Sequence, residues 1–344
     1  MGMKELYECL KSEYKYGYQV EYFWISGVFL VLVGSFGMIG NLMNLLILFQ
    51  TQFRKEIYYQ LLIVNTIVDI YFILCFGIQT GYGSMICWEN FNEAIWNLTK
   101  PFVNVGRSLS IYTTLVISTE RFLKVCYPFR LQRRSFWHYL VFIFIFSLSY
   151  NLPEFFERRF FLEDGILYDE WRPYTDNEDY LWRYWMVTDF FVMMLEDFIA
   201  MPIVLFLNLA IIRSVWKSKS NAFTDATESQ RRRSVTKHSA ELTKSLLIFV
   251  AVFLLTRSVY ICIHYLYYFA YDEIEKWIYL EPIEGLLVTM NSSIYIIIYI
   301  LVDSKFRLSA LTLIKCRIWG DISQSSIVYT LNNTDKEWII HFIC

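Results

Sequence analysis

Seven apolar stretches, near 22–49, 57–80, 100–125, 136–152, 186–213, 243–269 and 278–302, follow one another along the chain. Each is long enough for the roughly 20 residues that carry a helix across a bilayer core. Lipid offers no partner for a bare peptide group, so the stretches predict an all-α bundle of seven transmembrane helices over 22–302. With 56% hydrophobic and 19% aromatic residues in 344, the chain is too apolar for a soluble domain of its length. An odd number of crossings puts its two ends on opposite faces.

Loop charge orients the bundle. The connection 120–135 carries Arg121, Lys124, Arg130, Arg133 and Arg134, and the connection 213–244 carries eight basic residues from Arg213 to Lys244. Basic loops stay in the cytosol, so segment 1–21 is expected outside and the tail 303–344 inside, in a multi-pass plasma-membrane protein. Segment 1–21 mixes charges and has no apolar core, so no cleavable signal peptide is expected. The outer loops are acidic: 154–183 holds nine carboxylates against four arginines, and 270–284 holds five acids against Lys276. Such a vestibule concentrates cations, a basic peptide among them.

The segment 214–242 is rich in Ser, Thr and charge and reads as a flexible cytosolic loop, with Arg231-Arg232-Arg233-Ser234 as a basic-directed kinase motif. After the last span, Asp303-Ser304-Lys305-Phe306-Arg307-Leu308 opens a short amphipathic cytosolic helix, and Cys316 is its expected palmitoylation site. Seven cysteines fit no metal spacing, and Cys9 and Cys87 alone fall outside, which leaves at most one outer disulfide. Asn97-Leu98-Thr99 is the one acceptor sequon on the outer side, so Asn97 is the expected glycosylation site; Asn291 lies within a span and Asn332 in the cytosol.

Polar groups inside lipid are costly, so each marks a functional candidate. In the third span Arg107, Ser110, Thr114 and Arg121 are spaced by three, four and seven and share one helical face. The stripe ends on Glu120-Arg121, an arginine beside its own acid at the cytosolic boundary, a pair that holds locally and exchanges when a better partner arrives. Asn41, Asp69, Ser110, Asn291 and Ser292 lie within spans; if their helices are neighbours they form a polar core for water or a sodium ion, the one cofactor expected. Arg257 shares a face with Phe253 and His264, and beside Arg107 it needs Asp69, Glu196, Asp197 or an anionic ligand to offset the repulsion. Arg107, Arg257, His264 and Glu284 are the expected pocket residues.

These residues resemble the rhodopsin-like G-protein-coupled receptors over 22–316. Glu120-Arg121-Phe122 is similar to the family's Asp/Glu-Arg-Tyr signature, Gly40-Asn41 to its first-helix Gly-Asn, Asn65 through Asp69 to its second-helix Asn-x-x-x-Asp, and Pro202 to its fifth-helix proline. Within the family, the chain resembles the FMRFamide-peptide-receptor group and related nematode serpentine receptors. The signs are Gly106-Arg107-Ser108-Leu109-Ser110-Ile111-Tyr112, Cys126-Tyr127-Pro128, Tyr150-Asn151-Leu152-Pro153-Glu154-Phe155-Phe156-Glu157, Asn291-Ser292-Ser293 and Lys305-Phe306-Arg307, in that order.

The resemblance implies a receptor that senses an outer ligand, a neuropeptide of the RFamide kind, and activates a heterotrimeric G protein. Glu120, Arg121, Phe122 and Tyr299 then form the coupling switch. Four departures stand out. Trp96 replaces the cysteine that opens the third helix and 154–183 has none, so the outer loop must be held otherwise. Thr256-Arg257-Ser258-Val259 replaces Cys-Trp-x-Pro; Tyr295-Ile296-Ile297-Ile298-Tyr299 keeps only the last tyrosine of Asn-Pro-x-x-Tyr; and the fourth span lacks its central tryptophan. An unkinked sixth helix is left to signal by rigid-body shifts.

The arginine floor leaves a small anionic chemosensory ligand as an alternative. Buried Asp69, Arg107 and Arg257 also suit a channel or transporter, although no internal repeat or pair of Gly/Pro-broken helices accompanies them. A receptor-like protein that binds without coupling is the remaining alternative. No enzyme is expected, since no span carries a paired His/Asp metal set or a Gly-x-Ser-x-Gly elbow. The partners implied are ligand, G protein and lipid, with no nucleic acid.

Overall fold

The computed structural model describes residues 25, 28–51, 53–85, 89–127, 136–163, 166–171, 190–192, 194–222, 230–269 and 280–319. At 81–85, 89–93, 96, 159–163, 166–171, 218–222, 230–241, 264–269, 280–282, 284 and 314–319 it describes the backbone alone. Cys9, Cys87 and Asn332 therefore lie outside the described residues, as do the side chains of Trp96, His264, Glu284 and Cys316.

The helices are α1 (Leu30–Leu48), α2 (Ile57–Met85), α3 (Glu89–Cys126), α4 (Phe136–Asn151), α5 (Met201–Ala222), α6 (Gln230–Phe269), α7 (Leu280–Ser293), α8 (Tyr295–Val302) and α9 (Ser304–Trp319). Together α7 and α8 make the seventh crossing, and α9 is the expected helix after the last span. The segment read as a flexible loop, 214–242, is helical through Ala222 and again from Gln230, so the two helices project well beyond their apolar parts. Between α4 and α5 the chain adds a β-hairpin, β1 (Arg158–Glu163) paired antiparallel with β2 (Ile166–Trp171), lying against α3.

Among the described residues, six crossings are long and apolar enough to span a bilayer by composition, and α3 is not among them. Its position explains the difference. α3 packs against α2, α4, α5 and α6 and lies under the hairpin, so protein rather than lipid covers its polar stripe. Buried Ser108, Ser110, Thr113, Thr114, Ser118 and Arg121 follow one another down it. The outward faces carry the apolar load: Leu32, Ile39, Phe146, Phe206 and Leu255 are exposed in the isolated chain, as lipid-facing side chains are.

The first and seventh crossings meet through small residues. A Cβ built on Gly37 would collide with the Ser293 Oγ, whereas one on Gly34 comes no closer than 3.7 Å to any neighbour. Ser293 cannot yield readily, because its hydroxyl donates to the Thr289 carbonyl at 2.7 Å with the Val33 carbonyl at 3.2 Å. Gly37→Val is therefore expected to cost about 2–3 kcal/mol by overpacking, read as a melting temperature several degrees lower. Gly34→Ala serves as the neutral control.

The seventh crossing breaks at Ile294 without a proline. Asn41 Nδ2 donates to the Ser292 carbonyl at 2.8 Å, taking the acceptor that the Ile296 N–H would otherwise use. The Ser293 hydroxyl bonded back to Thr289 bends the same turn. At the next corner Asp303, 2% exposed, accepts the Tyr59 hydroxyl at 3.1 Å and caps α9 through the N–H groups of Lys305 and Phe306 at 3.0 and 3.1 Å.

Candidate functional site

Four ionised side chains meet inside the bundle beneath the hairpin. Pro202 has no N–H, and its ring presses on the preceding turn; upstream of it Met194–Ala200 forms a π-helical turn. The wider turn narrows the angle between neighbouring side chains, and consecutive acids Glu196 and Asp197 both reach Arg257 on α6. Arg257 Nη2 donates to Glu196 Oε2 at 3.1 Å and to Asp197 Oδ1 at 3.1 Å, with Nε 3.2 Å from the same Asp197 oxygen. Arg107 on α3 approaches Glu196 Oε2 with its Nε at 3.6 Å, an ion-pair distance beyond a hydrogen bond.

Tyr260, one turn after Arg257, serves both arginines. Its hydroxyl accepts from Arg107 Nη1 at 2.7 Å, and its ring lies 4.3 Å beneath the Arg257 guanidinium. Glu196 is further held by the Ser108 hydroxyl and by the Tyr150 hydroxyl at 2.6 Å, while Asn151 Nδ2 donates to Ser108 Oγ at 2.9 Å. Two positive and two negative side chains cancel, which is what burial at this depth requires. The compensation expected of Glu196 and Asp197 is therefore met, and Asp69 takes no part in it.

Below the quartet, Arg107, Ser110, Thr256, Arg257, Asn291 and Ser292 line a cavity between α2, α3, α6 and α7 with about 20 Å³ of room for the centres of water molecules. The structure thus brings together five of the residues singled out in the sequence. Asp69, with no exposure, sits behind Ser292 and accepts from Asn65 Nδ2 at 2.7 Å; Asn41 reaches the group through the Ser292 carbonyl.

At the far end of α3, Arg121 is 1% exposed. Its Nε lies 3.6 Å from Glu120 Oε2, and its guanidinium stands 3.5 Å above the Tyr58 ring. Among the described residues, Nε and Nη2 find no hydrogen-bond partner. Lys124 bridges Glu120 at 4.0 Å and Glu56 at 3.5 Å. From Tyr58 a run of rings passes through Tyr59, Phe53 and Phe306 to Tyr299, with successive centroids 5.4, 4.8, 6.4 and 5.5 Å apart. Phe122 faces Tyr127 at 5.6 Å instead.

Among the described residues, the loop after α4 is held to α3 by polar and aromatic contacts. Asn104 Nδ2 lies 2.9 and 2.8 Å from the two Glu154 oxygens, and Phe102 meets Phe155 edge to face at 5.0 Å. Asn97 belongs to α3 and is half-buried, and the Thr99 hydroxyl donates to the Ile95 carbonyl at 2.7 Å. Sequence reasoning missed Tyr58, Ser108, Tyr150 and Tyr260 as site residues. Tyr260 had a local signal in its place three residues from Arg257 on the same helical face, and Ser108 had one as a polar residue within a span.

Residues 40–300 match the family model described as 7 transmembrane receptor (rhodopsin family). The chain is 28% identical over 306 residues to the FMRFamide receptor of Drosophila melanogaster, covering 83% of this chain and 53% of that protein, so it spans about half that relative's length. It is 24% identical over 312 residues to the green-sensitive opsin of Gallus gallus, covering 86% and 81%. Its fold matches a crystal structure of squid rhodopsin with a TM-score of 0.67 at 17% identity, covering 91% of this chain and 90% of that one.

Proposed function

Because the chain belongs to the rhodopsin family of seven-transmembrane receptors, we propose that it binds an extracellular neuropeptide and activates a heterotrimeric G protein at the plasma membrane. The observation that carries this reading is Arg121. A guanidinium buried at the foot of α3, held by one acid and one ring and with two nitrogens short of hydrogen bonds, exchanges readily for an incoming carbonyl or carboxylate. Positive-inside loops put this end in the cytosol, where a G-protein helix would supply the acceptor.

The hairpin end then faces outward. Its acidic loops favour a basic ligand, and the likeness to a protein named FMRFamide receptor favours an amidated peptide. The arginines speak less for an anionic ligand than their number suggests, since Glu196 and Asp197 already hold them. The quartet ties α3, the fifth crossing and α6 together under the vestibule, so a ligand that shifts any one of them moves the others.

The test is G-protein activation in cells expressing the chain, challenged with amidated peptides ending in Arg-Phe and with small carboxylic acids. Peptides are expected to activate and acids to be silent. Activation by acids alone overturns the peptide reading.

A further inference from the structure

Tyr58 and Tyr59 stand side by side in the first turn of α2, about 100° apart around its axis, so they face different neighbours. Tyr58 turns to α3, where the Arg121 guanidinium lies 3.5 Å over its ring. Tyr59 turns to the start of α9, and its hydroxyl donates to Asp303 Oδ2 at 3.1 Å. The two rings meet edge to face at 5.4 Å, so a shift of one bears on the other.

Asp303 divides its carboxylate. Oδ1 accepts the N–H groups of Lys305 and Phe306 and starts α9, while Oδ2 leaves that helix and holds α2. A helix cap asks for one acceptor, which Ser or Asn supplies as well as Asp. Keeping an ionisable group at 2% exposure for a cap alone is costly, and the second oxygen is the one that joins two elements. Lys305 and Phe306 close on the same corner. The Lys305 ammonium lies 5.0 Å from the Phe53 ring and 5.5 Å from the Tyr59 ring, and Phe306, 1% exposed, meets Phe53 at 6.4 Å. The start of α9 thus fixes Tyr59, and Tyr59 bears on the ring where Arg121 rests.

We propose that Asp303 is a positioning residue of the coupling switch, holding Tyr58 beneath Arg121 through its bond to the Tyr59 hydroxyl. The consequence for signalling rests on the receptor reading above; the mechanical link does not. With the bond intact, Arg121 keeps its ring and stays with Glu120 at 3.6 Å. Without it the first turn of α2 opens more often, the ring leaves the guanidinium, and agonist-free coupling rises.

The test uses the full chain purified into phosphatidylcholine nanodiscs, with agonist-free nucleotide exchange measured on heterotrimers of each Gα class. Tyr59→Phe deletes the hydroxyl and leaves the ring; Asp303→Ser keeps the cap and loses the oxygen that reaches α2. Each is expected to raise agonist-free nucleotide exchange about threefold, and the two together no further than one alone. Asp303→Asn, whose amide can donate to the Tyr59 oxygen, should return toward the parent. On a Tyr58→Leu background Tyr59→Phe should add nothing, a result that loss of stability alone does not predict. Amide hydrogen exchange over 57–66 should quicken about threefold in both single variants, with or without G protein. The proposal is overturned by amide exchange at the parental rate in both, by agonist-free coupling at the parental level in both when the parent activates G protein, or by a full further rise on Tyr58→Leu. If no heterotrimer responds to the parent, the receptor reading falls, and amide exchange still decides the link between Asp303 and Tyr58.

Discussion

Glu196→Ala is expected to lower the melting temperature of the purified protein by about 10 °C and to deplete it from the cell surface. Glu196 is 1% exposed and meets Arg257, Arg107, Ser108 and Tyr150. Its loss removes the counter-charge of Arg107 and the acceptor of the Tyr150 hydroxyl, while Ser108 falls back on the Asn104 carbonyl at 2.9 Å; removing one partner of a buried ion pair costs about 3–5 kcal/mol. In a chain of this size each of those is about 2–4 °C. Arg257 fares better, since Asp197 stays at 3.1 Å and the Tyr260 ring at 4.3 Å.

Three variants divide that loss. Glu196→Gln keeps an oxygen for Ser108 and Tyr150 but removes the charge, so its deficit measures the ionic part. Asp197→Asn should fall less, because Arg257 retains Glu196. Adding Arg107→Leu to Glu196→Ala should recover part of the stability, the signature of two groups that depend on each other. A melting temperature for Glu196→Ala within about 2 °C of the parent would show that the quartet is not a structural clamp.

Arg121→Ala is expected to reduce peptide-evoked G-protein activation by about tenfold or more while the protein still reaches the surface. Arg121 contributes little to folding for its size: one ion pair at 3.6 Å, one ring at 3.5 Å and, among the described residues, two nitrogens without hydrogen bonds. Tyr58→Leu removes the ring that Arg121 rests on and should raise signalling in the absence of agonist. Arg121→Lys keeps the charge but not the planar face that lies on Tyr58, so its basal signal should also rise. Activation undiminished in Arg121→Ala would dispose of the latch.

The bundle was legible because lipid imposes a strict code. A peptide group left bare in hydrocarbon is so costly that every crossing must announce itself as a long apolar helix, and six do so by composition. The third is legible through its polar stripe, a pattern tolerable only where protein surrounds the helix. The candidate site was half legible. Arg107, Ser110, Arg257, Asn291 and Ser292 stand out as polar residues in apolar surroundings, and they do line one cavity. The need for a counter-charge near the arginines was legible too, with Glu196 and Asp197 among its candidates.

The sequence by itself thus determines how many helices cross the membrane, which face of the third is polar, and that buried arginines require acids. Which acids, and in what geometry, is a tertiary matter. Arg257 and Asp197 are 60 positions apart, Arg107 and Tyr260 are 153 apart, and Asn41 and the Ser292 carbonyl are 251 apart. Helical periodicity reports the angle of a side chain about its own axis, but not which neighbouring helix it faces or at what depth. The π turn before Pro202 rotates Glu196 and Asp197 together toward Arg257, and the bend at Ile294 arises from a side chain on another helix. Both depend on how helices far apart in the chain pack, and no local pattern records that packing.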